Sequence, residues 1–189
     1  MSGAGHNGGP TMEPGFGFRK LAWTRARAQL LPRLPLEVVR LRVARAERLG
    51  LPYRTYATIR ATSGMDIVGF LFSSNALELT RARLVMPAEV AVRLAPLAGA
   101  VDRVAAVHVP LHPGAVMQAN PGLVDAAGMA PGFTARWRET RAGLRRLLRD
   151  RKLPLDGVVV VAATAMEREW CATAGLAGVI AADAMFWPA

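Results

Sequence analysis

The sequence predicts an α/β fold: a small, mostly parallel sheet of about four strands with helices on both faces, preceded by a basic helical N-terminal segment. Two observations carry this. From residue 65 onward, short apolar runs alternate with longer stretches of helical periodicity. The strongest run, Val158–Ala162 (VVVVA), is apolar at every position, as a strand covered on both faces requires.

Taken in order, residues 1–17 are Gly/Pro-rich and aperiodic, which predicts a flexible tail. A basic helical segment is expected over 18–64, with helices at about 18–31, 36–49 and 52–62. Pro35 and Pro52 suit first-turn positions, and Gly50 suits the break between the second and third helices. Leu36, Val39, Val43 and Ala46 form one apolar stripe. Val38, Leu41 and Leu49 lie on another side, among Arg42, Arg45 and Arg48, so this helix is either sandwiched or partly covered by arginine stems.

The α/β domain is expected over 65–189. Ile67–Phe72 is its first strand. Ser73-Ser74-Asn75 then reads either as a hairpin turn, with Ala76–Leu79 pairing back, or as a helix cap in which Asn75 and Glu78 have capping-box spacing; the cap is preferred. Pro87–Leu97 predicts a helix, Val104–Val109 a strand, and Pro110–Gly132 a long Pro/Gly-rich loop. Thr134–Asp150 predicts a helix whose apolar side is Trp137, Leu144, Leu147 and Leu148. After Val158–Ala162, Thr164 opens a helix with Glu167 three positions on, and Gly175 closes it before a last strand at Val179–Ala181.

Composition narrows the function classes. Apolar residues make up 52% of the chain, which is globular usage. The single cysteine, Cys171, excludes an intrachain disulfide; it lies beside Trp170 and near Glu167 and Glu169, neighbours that blunt a thiol, so it reads as structural. The opening MSGAGHNGGP has no apolar core, so no secretory signal is expected. The least charged stretch, Val104–Leu123, is broken by Pro110, Pro113 and Pro121 and cannot span a bilayer. No membrane association and a cytoplasmic location are the expectations.

The net charge of +10 is unevenly placed: residues 1–64 carry eleven Arg/Lys against three acids. Of the 24 basic residues 22 are arginine, a bias that GC-rich codons also produce, so the clustering is more informative than the total. Clustered guanidinium groups concentrate phosphate-bearing partners. The stretch from Ala46 to Ile59 has helix-turn-helix spacing, which puts Arg54, Thr55 and Thr58 at the start of a recognition helix and Ile59 where it packs back on the first helix. Arg40, Arg42, Arg48 and Arg60 are then phosphate-contact candidates. Arg45 occupies a position that is normally apolar in such a unit, and Tyr56 is large for a packed one; two helices joined by a glycine turn also serve packing alone. A second stripe, Arg138, Arg141, Arg145 and Arg149, lies on the 134–150 helix and reads equally as a solvated outer face. The leading expectation is a nucleic-acid-associated protein without chemistry of its own, provided the two clusters merge into one surface.

The alternative is a small-molecule or phosphometabolite enzyme or sensor. Open parallel sheets bind ligands outside the carboxyl ends of their strands. Those ends carry Ser73, Ser74, Asn75, His112, Thr164 and Asp183. His108 and His112 are four apart, but Pro110 lies between them. An extended strand separates them by about 13 Å, so no shared metal is expected, and His112 is the preferred catalytic candidate. No cofactor is expected either. Gly3–Gly8 spells G-x-G-x-x-G with no strand before it, no glycine precedes Lys20 or Lys152 as a Walker loop demands, and G-x-S-x-G is absent. A third possibility is an interaction module, with the basic surface meeting an acidic protein partner or Phe186-Trp187 building a homo-oligomer.

The run VVVVAATAMEREWCATAGLAGVIAAD, residues 158–183, resembles the last strand–helix–strand of the haloacid-dehalogenase family. That resemblance implies a metal-binding acidic pair after VVVV and a nucleophilic aspartate at the end of the first strand. Ala162, Ala163 and Thr164 stand at the first place and Ser73 and Ser74 at the second, so the activity is not implied.

Overall fold

The computed structural model describes residues 34–187; the predicted tail and the 18–31 helix lie outside them. The chain divides between Val39 and Arg40, and of the first unit the described part is residues 34–39. The α/β class holds, with a five-stranded, all-parallel sheet. In chain order the elements are α1 (Leu36–Arg48), α2 (Tyr53–Ser63), β1 (Gly69–Ser73), α3 (Ala88–Leu94), β2 (Asp102–Val107), α4 (Pro113–Ala119), β3 (Ala126–Met129), α5 (Trp137–Arg149), β4 (Val158–Ala162), α6 (Ala165–Ala174), β5 (Gly178–Ala181) and α7 (Ala182–Phe186). The strand order is β3-β2-β1-β4-β5. The order therefore reverses between β1 and β4, a topological switch point of the kind at which such sheets open a crevice.

Each central strand is buried on both faces, so alternate residues feed two separate cores. Phe70, Phe72, Ala105, Val107, Val159, Val161 and Ile180 face a core that includes Ala46, Tyr56 and Ile59 of α1–α2, Val90 and Leu94 of α3, and Met185 and Phe186 of α7. Leu71, Val104, Ala106, Val158, Val160 and Ala162 face the other core, covered by Leu144 and Leu148 of α5 and by Trp170 and Ala174 of α6. The arginine-bearing helices α1–α2 and α5 thus cover opposite faces of the sheet. No helix among the described residues is long and apolar enough to cross a membrane.

Local chemistry explains the boundaries. The expected capping box opens α6: Glu167 N–H donates to Thr164 Oγ1 at 3.3 Å and Thr164 N–H to Glu167 Oε2 at 3.0 Å. Gly175 closes the helix in the left-handed region at φ 74°. Over β3, a Cβ on Gly128 would lie 2.7 Å from Leu147 Cδ1, so α5 approaches closely because that position is glycine.

Three expectations change. Pro110–Gly132 is not one loop, since it holds α4 and the edge strand β3, the fifth strand. The AAGM of β3 lacks the β-branched residues that mark a strand, and it is only partly buried. Ser73-Ser74-Asn75 forms neither hairpin nor helix cap. Backbone bonds from Leu77 N–H to Ser73 O and from Leu79 N–H to Ser74 O close a tight turn, with Glu78 at φ 53°. The two residues that fit a helix-turn-helix badly also have another role. Arg45 Nε donates to Asp66 Oδ2 at 3.1 Å and Tyr56 Oη to Asp66 Oδ1 at 2.7 Å, which ties both helices to the strand entry. Ile59 packs over Gly178 of β5, where a Cβ would meet it at 3.2 Å.

Candidate site at the strand carboxyl ends

The switch point brings together the ends of β1, β2 and β4. Ser74 follows β1, His108 follows β2, and Glu167 sits in the first turn of α6 after β4. Ser74 Oγ lies 2.9 Å from His108 Nδ1 and accepts the His108 backbone N–H at 3.1 Å. A hydroxyl can donate or accept at Nδ1. The Glu167 carboxylate on the other side of the ring favours the proton on Nε2, and Ser74 is then the donor to Nδ1.

Nε2 in turn lies 3.8 Å from Glu167 Oε1. Burial pushes the His108 pKa below its ordinary value, with the Glu167 carboxylate pulling the other way. Burial thus favours the neutral imidazole beside Glu167.

Glu167 is 1% exposed, and among the described residues every group hydrogen-bonded to its carboxylate is a donor. Ala163 N–H (2.8 Å) and Thr164 N–H meet Oε2, while Asn75 Nδ2 meets Oε1 at 2.8 Å. A carboxylate suits this place because it presents acceptors only. It closes the switch point by joining the β1 end to the β4–α6 connection across 92 residues of sequence.

Beside this cluster is a cavity of about 280 Å³. Its walls are His108, Phe133 of the β3–α5 connection, Trp137 and Thr140 of α5, and Met166, Glu169 and Trp170 of α6. The His108 ring stacks on Trp170 at 5.6 Å between centroids and on Phe133 at 6.0 Å. Trp170 is 4% exposed, whereas Phe133 is 69% exposed and Trp137 55%. The cavity therefore has a buried indole at its back and two open rings toward solvent.

No protein-family model, curated protein or solved structure matches this chain. Function has to be argued from the site itself.

Of the sequence candidates, Ser74 and Asn75 belong to the cluster. Ser73 accepts Ala76 N–H at 3.0 Å and shapes the turn. Thr164 is the α6 cap. His112 is exposed and caps α4, its Nδ1 accepting Gly114 N–H at 3.2 Å. Asp183 is exposed in the first turn of α7, where it accepts Ala184 N–H. His108, Phe133, Trp137 and Trp170 were not singled out as ligand-facing by spacing, because they converge only through the topology. The available signal was positional: His108 falls near the end of the expected strand Val104–Val109, just as Ser73, Ser74 and Asn75 follow the end of Ile67–Phe72.

The arginine candidates do not converge. Arg60 Nη1 is 3.3 Å from Asp66 Oδ1. Arg54, Thr55 and Thr58 line a shallow cavity of about 290 Å³ with Val179 at the β5 edge, and Thr58 Oγ1 donates to Arg54 O at 2.9 Å. Arg40, Arg42 and Arg48 lie on α1 and Arg138, Arg141, Arg145 and Arg149 on α5, on opposite faces of the sheet. Arg145 Nε donates to Ala174 O at 3.0 Å. A further cavity of about 310 Å³, at the amino ends of the strands, is lined by Arg45, Asp102, Asp125 and Arg151. Arg151 pairs with Asp102, Arg45 with Asp66, and buried Arg103 holds Asp125 in a two-pronged bond at 2.8 and 3.0 Å. That arrangement is a structural clamp.

No group of three or more metal-ligating residues occurs among the described residues. Cys171 is half-buried, and burial raises its pKa, so the thiol is protonated and inert at neutral pH.

Proposed function

We propose that this protein binds a small molecule at the carboxyl ends of its strands, with His108 as the polar anchor of the pocket. The observation that carries the reading is the cavity at the switch point, walled by aromatic rings around an imidazole whose tautomer is set from behind. Apolar walls with a few placed polar groups are the general signature of ligand sites. The neutral Nε2–H is a hydrogen-bond donor, while the Nδ1 lone pair is taken by Ser74. Ser74 is not read as a nucleophile, since it is 1% exposed and its oxygen is committed to His108. Its role is to orient the ring.

The test is an NMR titration of the full chain with a fragment collection, following the indole N–H signals of Trp137 and Trp170. Saturable shifts that vanish in Phe133→Ala and change in His108→Ala support the reading. Absence of any saturable shift would remove it.

A second reading keeps the polyanion partner but confines it to α5. Arg138, Arg146 and Arg149 are exposed there without an acidic partner among the described residues, which favours phosphate contact through one helix. Three such contacts predict a slope of about −2.7 for log affinity against log salt. A duplex DNA titration at several salt concentrations checks it, and a flat response rejects it.

A further inference from the structure

The cavity's charge is unlike the protein's. The chain has 24 basic residues and a net charge of +10, yet among the described residues no arginine or lysine lines this pocket, and the one charged lining group is Glu169. A site for a phosphorylated or carboxylated ligand needs guanidinium or ammonium groups, or a long helix N-terminus, pointing inward. The amino ends of α5 and α6, whose Trp137 and Met166 line the space, are already capped by the carboxylates of Glu139 and Glu167, and most of the remaining lining is aromatic or apolar. Phe133, Trp137 and Trp170 line the space, the His108 ring stacks on Phe133 and Trp170, and Met166 adds a polarizable thioether. Ring faces carry negative electrostatic potential and attract cations, most strongly at indole. This structure already contains one instance of that attraction, with Arg141 Cζ 5.0 Å from the centre of the Trp137 ring.

Resting on the ligand-site reading above, we propose that the ligand is a small organic cation of the methylated or quaternary ammonium class, held among the rings of Phe133, Trp137 and Trp170 with Glu169 as its counter-charge. Such a cation is weakly hydrated and cannot form the directional hydrogen bonds an arginine-lined site would offer, so rings and a single carboxylate suffice. Arg141 occupies one face of Trp137 and competes for it. Its positive charge opposes a cation and would assist an anion, so its removal gives opposite signs for the two ligand classes.

The probe is choline, compared with its uncharged isostere 3,3-dimethylbutan-1-ol and with inorganic phosphate. Each is titrated into the full chain at low ionic strength, with the Trp137 and Trp170 indole signals as readout. The expected result is saturable choline binding about tenfold tighter than the isostere. Glu169→Gln should weaken choline by about threefold, and Arg141→Ala should tighten it; both residues are at the surface, so neither change threatens folding. Equal binding of the isostere overturns the cation class while leaving the ligand site standing. Phosphate binding that Arg141→Ala weakens does the same, in favour of an anion. If neither these probes nor the fragment collection produce a saturable shift, both the class and the site fall.

Discussion

Replacing Glu167 by alanine should be the most damaging single change at the switch point. Three contributions are lost. Half of the α6 capping box goes, worth about 1 kcal/mol. The bond from Asn75 to a charged acceptor goes, worth about 1.5 kcal/mol. The methylenes of a side chain only 1% exposed leave a gap, adding about 1 kcal/mol. Ala163 and Thr164 are exposed, so water takes up their freed N–H groups and limits the total to about 3 kcal/mol. In a domain of this size that is a fall in Tm of about 6–12 °C. Glutamine should cost only about 1 kcal/mol. Its carbonyl can take the two backbone donors at the Oε2 place, and exposed Asn75 can turn its own carbonyl toward the new NH2. Urea denaturation of the full chain, with calorimetry for Tm, measures both. An alanine variant within about 0.5 kcal/mol of the parent would refute the claim that this carboxylate joins β1 to β4. Equal losses for alanine and glutamine would refute the all-donor environment.

Further outcomes follow from the same contacts. Asp125→Ala strands Arg103, which is 3% exposed, and should cost about 3–5 kcal/mol, whereas Arg103→Met with Asp125→Ala should recover part of that; chemical denaturation of the three variants tests it. Stability should fall in two stages on acidification. The native fold holds His108 below its ordinary 6.5, so its contribution is complete above that pH and is lost as pH drops toward the folded value. Hydrogen bonds from Arg103 hold Asp125 below its ordinary 3.8, so a second loss begins below that value and is reduced in Asp125→Asn, the remainder coming from Asp66, which is also held low; urea midpoints against pH show both. Ser74→Ala should cost about 1–2 kcal/mol and release the tautomer, read as a change in the His108 ring ¹⁵N shifts. Gly175→Ala should cost about 1 kcal/mol through its φ of 74°, measured by the same denaturation.

The parts of the fold that sequence foretold are those where local chemistry and tertiary demand coincide. Val158–Ala162 is apolar throughout because both faces of β4 are covered, and Thr164, Glu167 and Gly175 mark α6 because they bond within their own turns. β3 escaped because its Ala-Ala-Gly-Met is shaped by the closeness of Leu147 on α5, a contact no window of sequence contains. The site was half legible. Ser74 and Asn75 stood out as polar residues ending a strand, but Glu167 read only as a cap, since its bond to Asn75 depends on β4 lying beside β1. His112 drew attention from His108 by standing in an irregular segment, where it caps α4. The two arginine clusters are alike in composition but lie apart in the fold. The charge on α1–α2 is partly spent on Asp66, and the sheet separates the remainder from α5.

A crystal structure grown with tetramethylammonium tests the central claim most directly. The account predicts the cation in the cavity, among the rings of Phe133, Trp137 and Trp170 and within reach of Glu169, with His108 Nδ1 still on Ser74. A cavity that stays empty while the cation settles on surface carboxylates elsewhere would contradict it.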